Sequence, residues 1–295
     1  IRKSQLQNKT KIISLNNIGD LTYDYEYLDG SSSTIKQIIE DNHKVSNLIK
    51  EAKKPLIVFG QSVFALKSGK YIFESFKSYL NKNKKITKDW NSMNIISEDA
   101  ATVGSLDLGI YCTNDGSNEV LLDLKNHKYE IVYLLGQDNL NFKKQNEFII
   151  YQGSHGDKGA EIADIILPGA AYTEQDGYFT NLEGKLQKAY KASYPPGEAK
   201  EDWKIVNELS KVLNNKKLFK DKNELESSMM NYIKLFLDNN NLKKDDYNLN
   251  HQFIDEQIKI IPCDYYYSNS IARSSKTMSE CKYEKIDLKN TGTEG

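Results

Sequence analysis

Residues 151–187 read YQGSHGDKGAEIADIILPGAAYTEQDGYFTNLEGKLQ, and the order of apolar runs and turn signals in this stretch decides the fold class. A strand ends at Gln152, and Gly153, Gly156 and Gly159 permit a tight loop after it. Lys158–Ala163 has the composition of a helical turn, and Ile165–Leu167 is a further short strand that stops at Pro168. Asp176-Gly177 marks a turn, so Tyr178–Thr180 and Lys185–Lys188 read as the arms of a hairpin around Asn181–Gly184. Gly177 and Gly184 are expected at positive φ, where a side chain strains the backbone.

The same grammar recurs upstream. Leu56–Phe59 closed by Gly60, Ile131–Leu135 closed by Gly136 and Phe148–Tyr151 are short continuous apolar runs, the pattern of strands buried on both faces. Helical spacing separates them: Ile35, Ile38, Ile39, Val45, Leu48 and Ile49 predict a helix broken near His43, and Phe64, Tyr71, Ile72, Phe76 and Leu80 predict another. Parallel strands need crossovers that cover the sheet, so strand and helix in alternation imply an α/β domain with a mainly parallel, doubly wound sheet. We place it at residues 51–214, closed by a helix in which Trp203, Val206, Leu209 and Leu213 form the apolar stripe and Glu198, Glu201 and Asp202 suit the amino-terminal dipole.

Two flanking regions are expected to lack cores of their own. Residues 1–50 comprise a docking segment, in which the polar stretch Ile1–Ser33 with its acidic-aromatic run Asp20–Asp29 reads as an extended segment or docking loop, and the broken helix. Residues 215–295 comprise a helical stretch at Leu225–Leu237, an Asn- and Lys-rich loop, and a tail with Ile258–Ile261 and Tyr265–Tyr267, in which Ser268–Glu280 has no strong amphipathic pattern.

Composition removes several function classes. The 295 residues carry 40 Lys and Arg against 41 Asp and Glu, a net charge of -1, so no global field draws nucleic acid or an anionic membrane. No run approaches the roughly 18 apolar residues of a membrane span, and mean hydropathy is -0.64. Ile1–Lys11 matches neither a signal peptide nor a transit peptide. Cys112, Cys263 and Cys281 stand far apart, and a standard iron-sulfur cluster takes about four thiolates.

Each residue group that could carry chemistry has a plainer reading. Gly153–Gly159 with Lys158 could cradle a phosphate, but it matches neither phosphate-loop pattern, and a structural turn needs the same glycines. Ser154, His155 and Asp157 form the letters of a catalytic triad, yet neighbours on one loop seldom converge into a relay. His43, His127 and His251 have no partner at ligand spacing, and Glu174, Asp176 and Glu183 read as turn and hairpin residues before they read as proton-transfer groups. No residue is assigned a catalytic, cofactor-binding or metal-binding role.

These residues also carry a resemblance. Ala163-Asp164-Ile-Ile-Leu167-Pro168, Glu174-Gln-Asp-Gly177 and Asn181-Leu-Glu183-Gly184 resemble the A-D-x-x-L-P, E-x-x-G and N-x-E-G runs of the large iron-sulfur subunits of respiratory complex I and, more loosely, of molybdopterin oxidoreductases. The similarity extends to Asp20–Tyr25, Glu51–Pro55, Pro196–Ile205 and Ser268–Met278, and is weak only over Asn214–Gln257. It implies a molybdopterin-oxidoreductase-like α/β fold with a β-hairpin insertion and an irregular carboxyl-terminal extension. It further implies a structural, carboxyl-terminal part of a subunit of NADH:ubiquinone reductase, peripheral on the matrix side of the mitochondrial inner membrane, in an assembly that couples electron transfer to proton pumping. FMN and iron-sulfur clusters belong to the wider complex in this family, so none is expected here. The implied partners are other peripheral-arm subunits, including a cluster-bearing counterpart of the same subunit. A fragment of a pterin-dependent oxidoreductase and a free-standing scaffold are the alternatives.

Overall fold

The computed structural model describes residues 1–110, 117–137, 140, 143–241, 252–260 and 264–288. Cys112, Cys263 and His251 lie outside them. The chain is α/β with parallel sheets, and it divides into two compact units. The first takes in residues 1–100 and 252–260, the second 101–241 and 264–288. Both cut across the segments 1–50, 51–214 and 215–295 read from sequence.

The first unit opens with α1 (Arg2–Asn8), where an extended segment was expected; it buries none of its residues and ends at Lys9 in the left-handed region. Strands β1 (Ile13–Ser14) and β2 (Glu26–Tyr27) pair parallel. Helices α2 (Ser32–Ile39) and α3 (Lys44–Glu51) realise the broken helix, because the His43 ring Nδ1 accepts the amide of Val45 and restarts the chain as an amino-terminal cap. After β3 (Ile57–Phe59) come α4 (Gln61–Phe64) and α5 (Gly69–Lys82), and β4 (Met93–Ile95) pairs parallel with β3. A Cβ on Gly69 would stand 2.5 Å from the Val63 carbonyl, so glycine lets α5 start against α4.

Ile35, Ile38, Val45, Ile49, Ile72 and Leu80 lie in one buried cluster with Phe59, Phe76 and Tyr79, whose rings meet edge to face. Residues 252–260, expected in the carboxyl-terminal extension, complete this core. Ile258 is buried in it and its amide donates to the Gly30 carbonyl, while the fully buried Ser68 donates to the Ile254 carbonyl at 2.7 Å.

The second unit begins with α6 (Thr102–Asp107) and α7 (Ser117–Lys125) and is built on a parallel sheet of β5 (Ile131–Leu135), β6 (Phe148–Gly153) and β7 (Ile165–Pro168) in that order. The turn α8 (Lys158–Glu161) joins β6 to β7. Leu134, Ile149 and Tyr151 are buried under Ala160, Ile162 and Ala163 on one face. The expectation of strands buried on both faces holds for the central β6, where Ile149, Tyr151 and Gln152 are buried, and is corrected for β5 and β3: Ile131 is 66% exposed, Leu135 55% and, in the first unit, Val58 40%.

Strands β8 (Gly177–Thr180) and β9 (Leu186–Ala189) pair antiparallel, and Gly184 between them has φ +79°. Gly177 does not have positive φ; it is the first residue of β8, opposite Ala189, and the turn falls before it. Helices α9 (Asp202–Asn214) and α10 (Lys222–Asn241) follow. The tail forms α11 (Ser270–Ser274) and α12 (Lys276–Leu288) despite its weak apolar pattern, because caps and polar contacts take the place of a stripe: Asn269 Oδ1 accepts the Ala272 amide at 2.9 Å.

Candidate functional site

The quoted stretch converges at the carboxyl edge of the β5–β6–β7 sheet, where open parallel sheets offer their ligand crevice. Here the polar groups are engaged with one another. Gln152, fully buried at the end of β6, donates through Nε2 to Asp202 Oδ1 at 2.8 Å and accepts the Tyr133 hydroxyl on Oε1. Gln175 donates to Asp202 Oδ2 at 2.7 Å and accepts the Asp202 amide at 3.1 Å. Both carboxylate oxygens of Asp202 are thereby matched by amide donors at the first turn of α9. Burial and the Asp202 charge together raise the Tyr133 phenol above its ordinary value.

The glycine loop is shaped by an aromatic ring. A Cβ on Gly153 would lie 2.2 Å from the Tyr151 hydroxyl oxygen, and one on Gly159 would lie 2.6 Å from the Gln137 carbonyl and 3.0 Å from the Tyr151 ring. Tyr151 is 1% exposed, and its hydroxyl donates to the His155 carbonyl at 2.8 Å. The glycines therefore make room for Tyr151 and for the chain beyond β5.

The triad letters do not form a relay. Ser154 Oγ lies 2.9 Å from His155 Nδ1, the ring atom that a triad carboxylate would hold, while Asp157 turns instead to Arg273, whose Nε donates to Oδ2 at 2.6 Å. Burial pushes the Asp157 carboxyl up, but Arg273 and the Lys158 amide outweigh it and hold the group below its ordinary range. His43 caps α3, and His127 Nδ1 bonds the nearly buried Glu147. Among the described residues no group of three or more His, Cys, Asp or Glu is arranged to hold a metal, and Cys281 is an exposed free thiol.

The motif residues are likewise accounted for. Asp164 Oδ2 accepts the Ile149 amide at 2.8 Å and Oδ1 pairs with Lys144, stitching β6 to the entry of β7. Its carboxyl is held low, first by Lys144. Glu174 accepts the Ala171 amide at 3.0 Å, and Asp176 accepts the Lys191 amide at 2.8 Å and pairs with Lys222 at 3.0 Å. Asn181 Oδ1 accepts the Glu183 and Lys185 amides, which shapes the turn between β8 and β9; Glu183 serves there through its backbone.

Sequence reasoning missed Arg273, Lys188 and Glu226. Lys188 on β9 meets Glu226 on α10 at 2.9 Å, Tyr178 donates to the same carboxylate at 2.9 Å, and the pairing raises the Lys188 pKa and lowers that of Glu226. No pattern of spacing announces such partners, which lie 38 residues apart. Below them an apolar groove of about 690 Å³ runs between β8, α9 and α10, lined by Phe179, Trp203, Phe219 and Met229 among others. No helix of the described residues is long and apolar enough to cross a membrane.

The family model described as molybdopterin oxidoreductase matches residues 1–212. Among curated relatives, the chain is 37% identical over 290 residues to the NADH-ubiquinone oxidoreductase 75 kDa subunit of Reclinomonas americana, covering 95% of this chain and 41% of that one. It is 34% identical over 275 residues to an NADH-quinone oxidoreductase subunit of Rickettsia bellii (92% and 39%), and 31% identical over 297 residues to the mitochondrial 78 kDa subunit of the Candida albicans enzyme (95% and 40%). The chain thus spans about two-fifths of the length of these relatives. An alignment over 95% of 295 residues leaves out about 15, so it passes Arg273 wherever those fall, whereas the family model stops before it. With that model matched across most of its length and an α/β framework of parallel sheets beneath the motifs, the chain belongs to the molybdopterin oxidoreductase family.

Proposed function

We propose that this chain is the structural, carboxyl-terminal portion of the large iron-sulfur subunit of respiratory complex I, holding no redox group and supplying packing surfaces to the peripheral arm. The observation that carries the reading is similarity along 95% of the chain to NADH-ubiquinone oxidoreductase subunits. On this reading the domain is doubly wound with the β8–β9 hairpin as an insertion. It sits on the matrix side of the mitochondrial inner membrane, beside a cluster-bearing counterpart of the same subunit. The assembly carries electrons from NADH through FMN and iron-sulfur clusters to ubiquinone and pumps protons, and no residue of this chain is catalytic.

The family name implies a pterin cofactor, and the residues at the loop argue against it. The space beside Gly153 and Gly159 is taken by Tyr151 and the Gln137 carbonyl, and the loop presents the carboxylate of Asp157 where a phosphate needs donors. The test is to purify the complex from its source, identify its polypeptides and assay molybdenum and pterin in it. Co-purification with cluster-bearing peripheral-arm subunits and no molybdenum is the expected result; stoichiometric molybdenum with pterin bound to this chain establishes the pterin-dependent alternative, and recovery of the chain alone establishes the scaffold.

A further inference from the structure

We propose that residues 264–288 are a latch, closed by Arg273 on Asp157, that holds the loop at the carboxyl edge of the parallel sheet and makes the order of that edge depend on a segment 116 residues further along the chain. The tail is preorganised for this. Lys282 pairs with Asp264 at 2.6 Å and stands 4.0 Å above the Tyr267 ring, and the Tyr267 and Ser279 hydroxyls lie 2.8 Å apart, so α12 is stapled to the segment that precedes α11. Ser275 Oγ accepts the Met278 amide and begins α12, while Asn269 begins α11. Arg273 thus leaves a short helix held at both ends, which lowers the entropy cost of placing its guanidinium.

Its target is equally fixed. Asp157 caps α8 through the Lys158 amide at 2.8 Å, two residues beyond the His155 carbonyl that receives the Tyr151 hydroxyl. Both partners of the ion pair are less than one-quarter exposed, which shields it from the screening that makes surface pairs weak. A charge-assisted bond therefore joins the tail to a loop whose Gly153 and Gly159 are packed on Tyr151. The latch lies past residue 212, outside the span shared with the broad family, and inside the span shared with the NADH-ubiquinone oxidoreductase subunits. It closes the edge where other sheets of this class admit a ligand.

The test is hydrogen exchange on the chain as isolated from its source, in whatever assembly it occurs, for wild type, Arg273→Ala, Arg273→Lys and the charge swap Asp157→Arg with Arg273→Asp. Arg273→Ala is expected to raise exchange about tenfold both in residues 153–161 and in 270–284, the loss of one charged hydrogen bond. The swap should return residues 270–284 to within about twofold of wild type and lower exchange in 153–161 well below that of Arg273→Ala, though not fully to wild type because Asp157→Arg also removes the cap of α8; Arg273→Lys should give an intermediate rate, with the Ile35–Leu80 core unchanged throughout. If Arg273→Ala does not accumulate, restoration of the protein by the swap supports the latch, and a swap that fails to accumulate overturns it. Exchange that rises in the tail alone, with residues 153–161 at the wild-type rate, also overturns it.

Discussion

The side-chain amide of Gln152 donates to the carboxylate of Asp202 at 2.8 Å across 50 residues of sequence, tying the end of β6 to the first turn of α9. Because Gln152 is fully buried, its amide has no solvent to turn to when the partner is removed. Asp202→Ala also takes one acceptor from Gln175, which keeps the Ala170 carbonyl, and is expected to destabilise the protein by about 1–3 kcal/mol. Thermal unfolding should report this as a fall of several degrees, whereas Lys200→Ala, two residues away, should stay within about 0.5 kcal/mol of wild type. Equal melting temperatures for Asp202→Ala and wild type would remove the amide–carboxylate lattice from the account of stability.

The glycines of the loop separate into those that are needed and one that is not. Gly153→Ala and Gly159→Ala push a methyl into Tyr151 or the Gln137 backbone and should each cost about 1–3 kcal/mol. A Cβ on Gly156 meets nothing within 4 Å, and its φ is ordinary, so Gly156→Ala should be neutral. Gly184→Val, at φ +79°, should cost about 1 kcal/mol or more through the backbone alone. A loop that bound phosphate through its amides would be expected to be sensitive at Gly156 as well, so denaturant midpoints of the three alanine variants separate the packing role from the cradle.

Local signals made much of this fold legible. The turns of Tyr151–Gln187, the break at His43 and the helix with Trp203 follow from glycine, capping and apolar spacing, each readable within a few residues. What escaped is set by tertiary pairing. Ile258 joins the first unit's core by bonding to Gly30, over two hundred residues away, and Arg273 finds Asp157 across 116. Gly177 was misread because Asp-Gly usually centres a turn, yet here Asp176 is spent on the Lys191 amide and Lys222, and the glycine starts a strand. The tail was read as irregular because stripe-based reasoning does not see helices held by caps and ion pairs.

Two groups contribute to the pH dependence of stability in opposite directions. Glu226 is held below its ordinary value, first by the hydrogen bond from Lys188 and then by Tyr178. Its folded pKa is depressed, so its contribution is present above the unfolded value near 4.3 and is lost as pH falls through the folded one. Tyr79 moves the other way: burial, with help from Asp41, pushes its phenol up to about 12. A raised folded value means stability is full below the unfolded value near 10 and declines as pH rises toward about 12. Urea midpoints measured against pH should therefore fall at both ends, with Glu226→Gln flattening the acid limb and Tyr79→Phe the alkaline one; unchanged limbs in these variants would detach the two groups from the pH dependence.

The amino-terminal aromatic run supplies the sharpest test of the proposed assembly. Tyr23, Tyr25 and Tyr27 form a chain of ring contacts with centroids 6.4 and 6.5 Å apart, and Leu28 packs against the first unit's core. Their roles differ. Tyr25 supports its own loop, since its hydroxyl accepts the Ile18 amide at 3.0 Å and donates to the Gly19 carbonyl at 2.8 Å. Tyr27 is 56% exposed on the two-residue strand β2, a large ring with no such internal duty. A permanent subunit junction buries about 2,000 Å² or more around an apolar centre, and tyrosine is among the residues that carry its energy. Tyr27→Ser should then weaken incorporation into the complex by about thirtyfold, the equivalent of about 2 kcal/mol, while leaving the thermal unfolding of the chain nearly unchanged. Tyr25→Phe should do the reverse, loosening residues 17–25 with a smaller effect on incorporation. Hydroxyl-radical footprinting of the complex and of the chain released from it reads Tyr27 directly, and equal labelling in the two states would move the junction with the cluster-bearing partner away from this run.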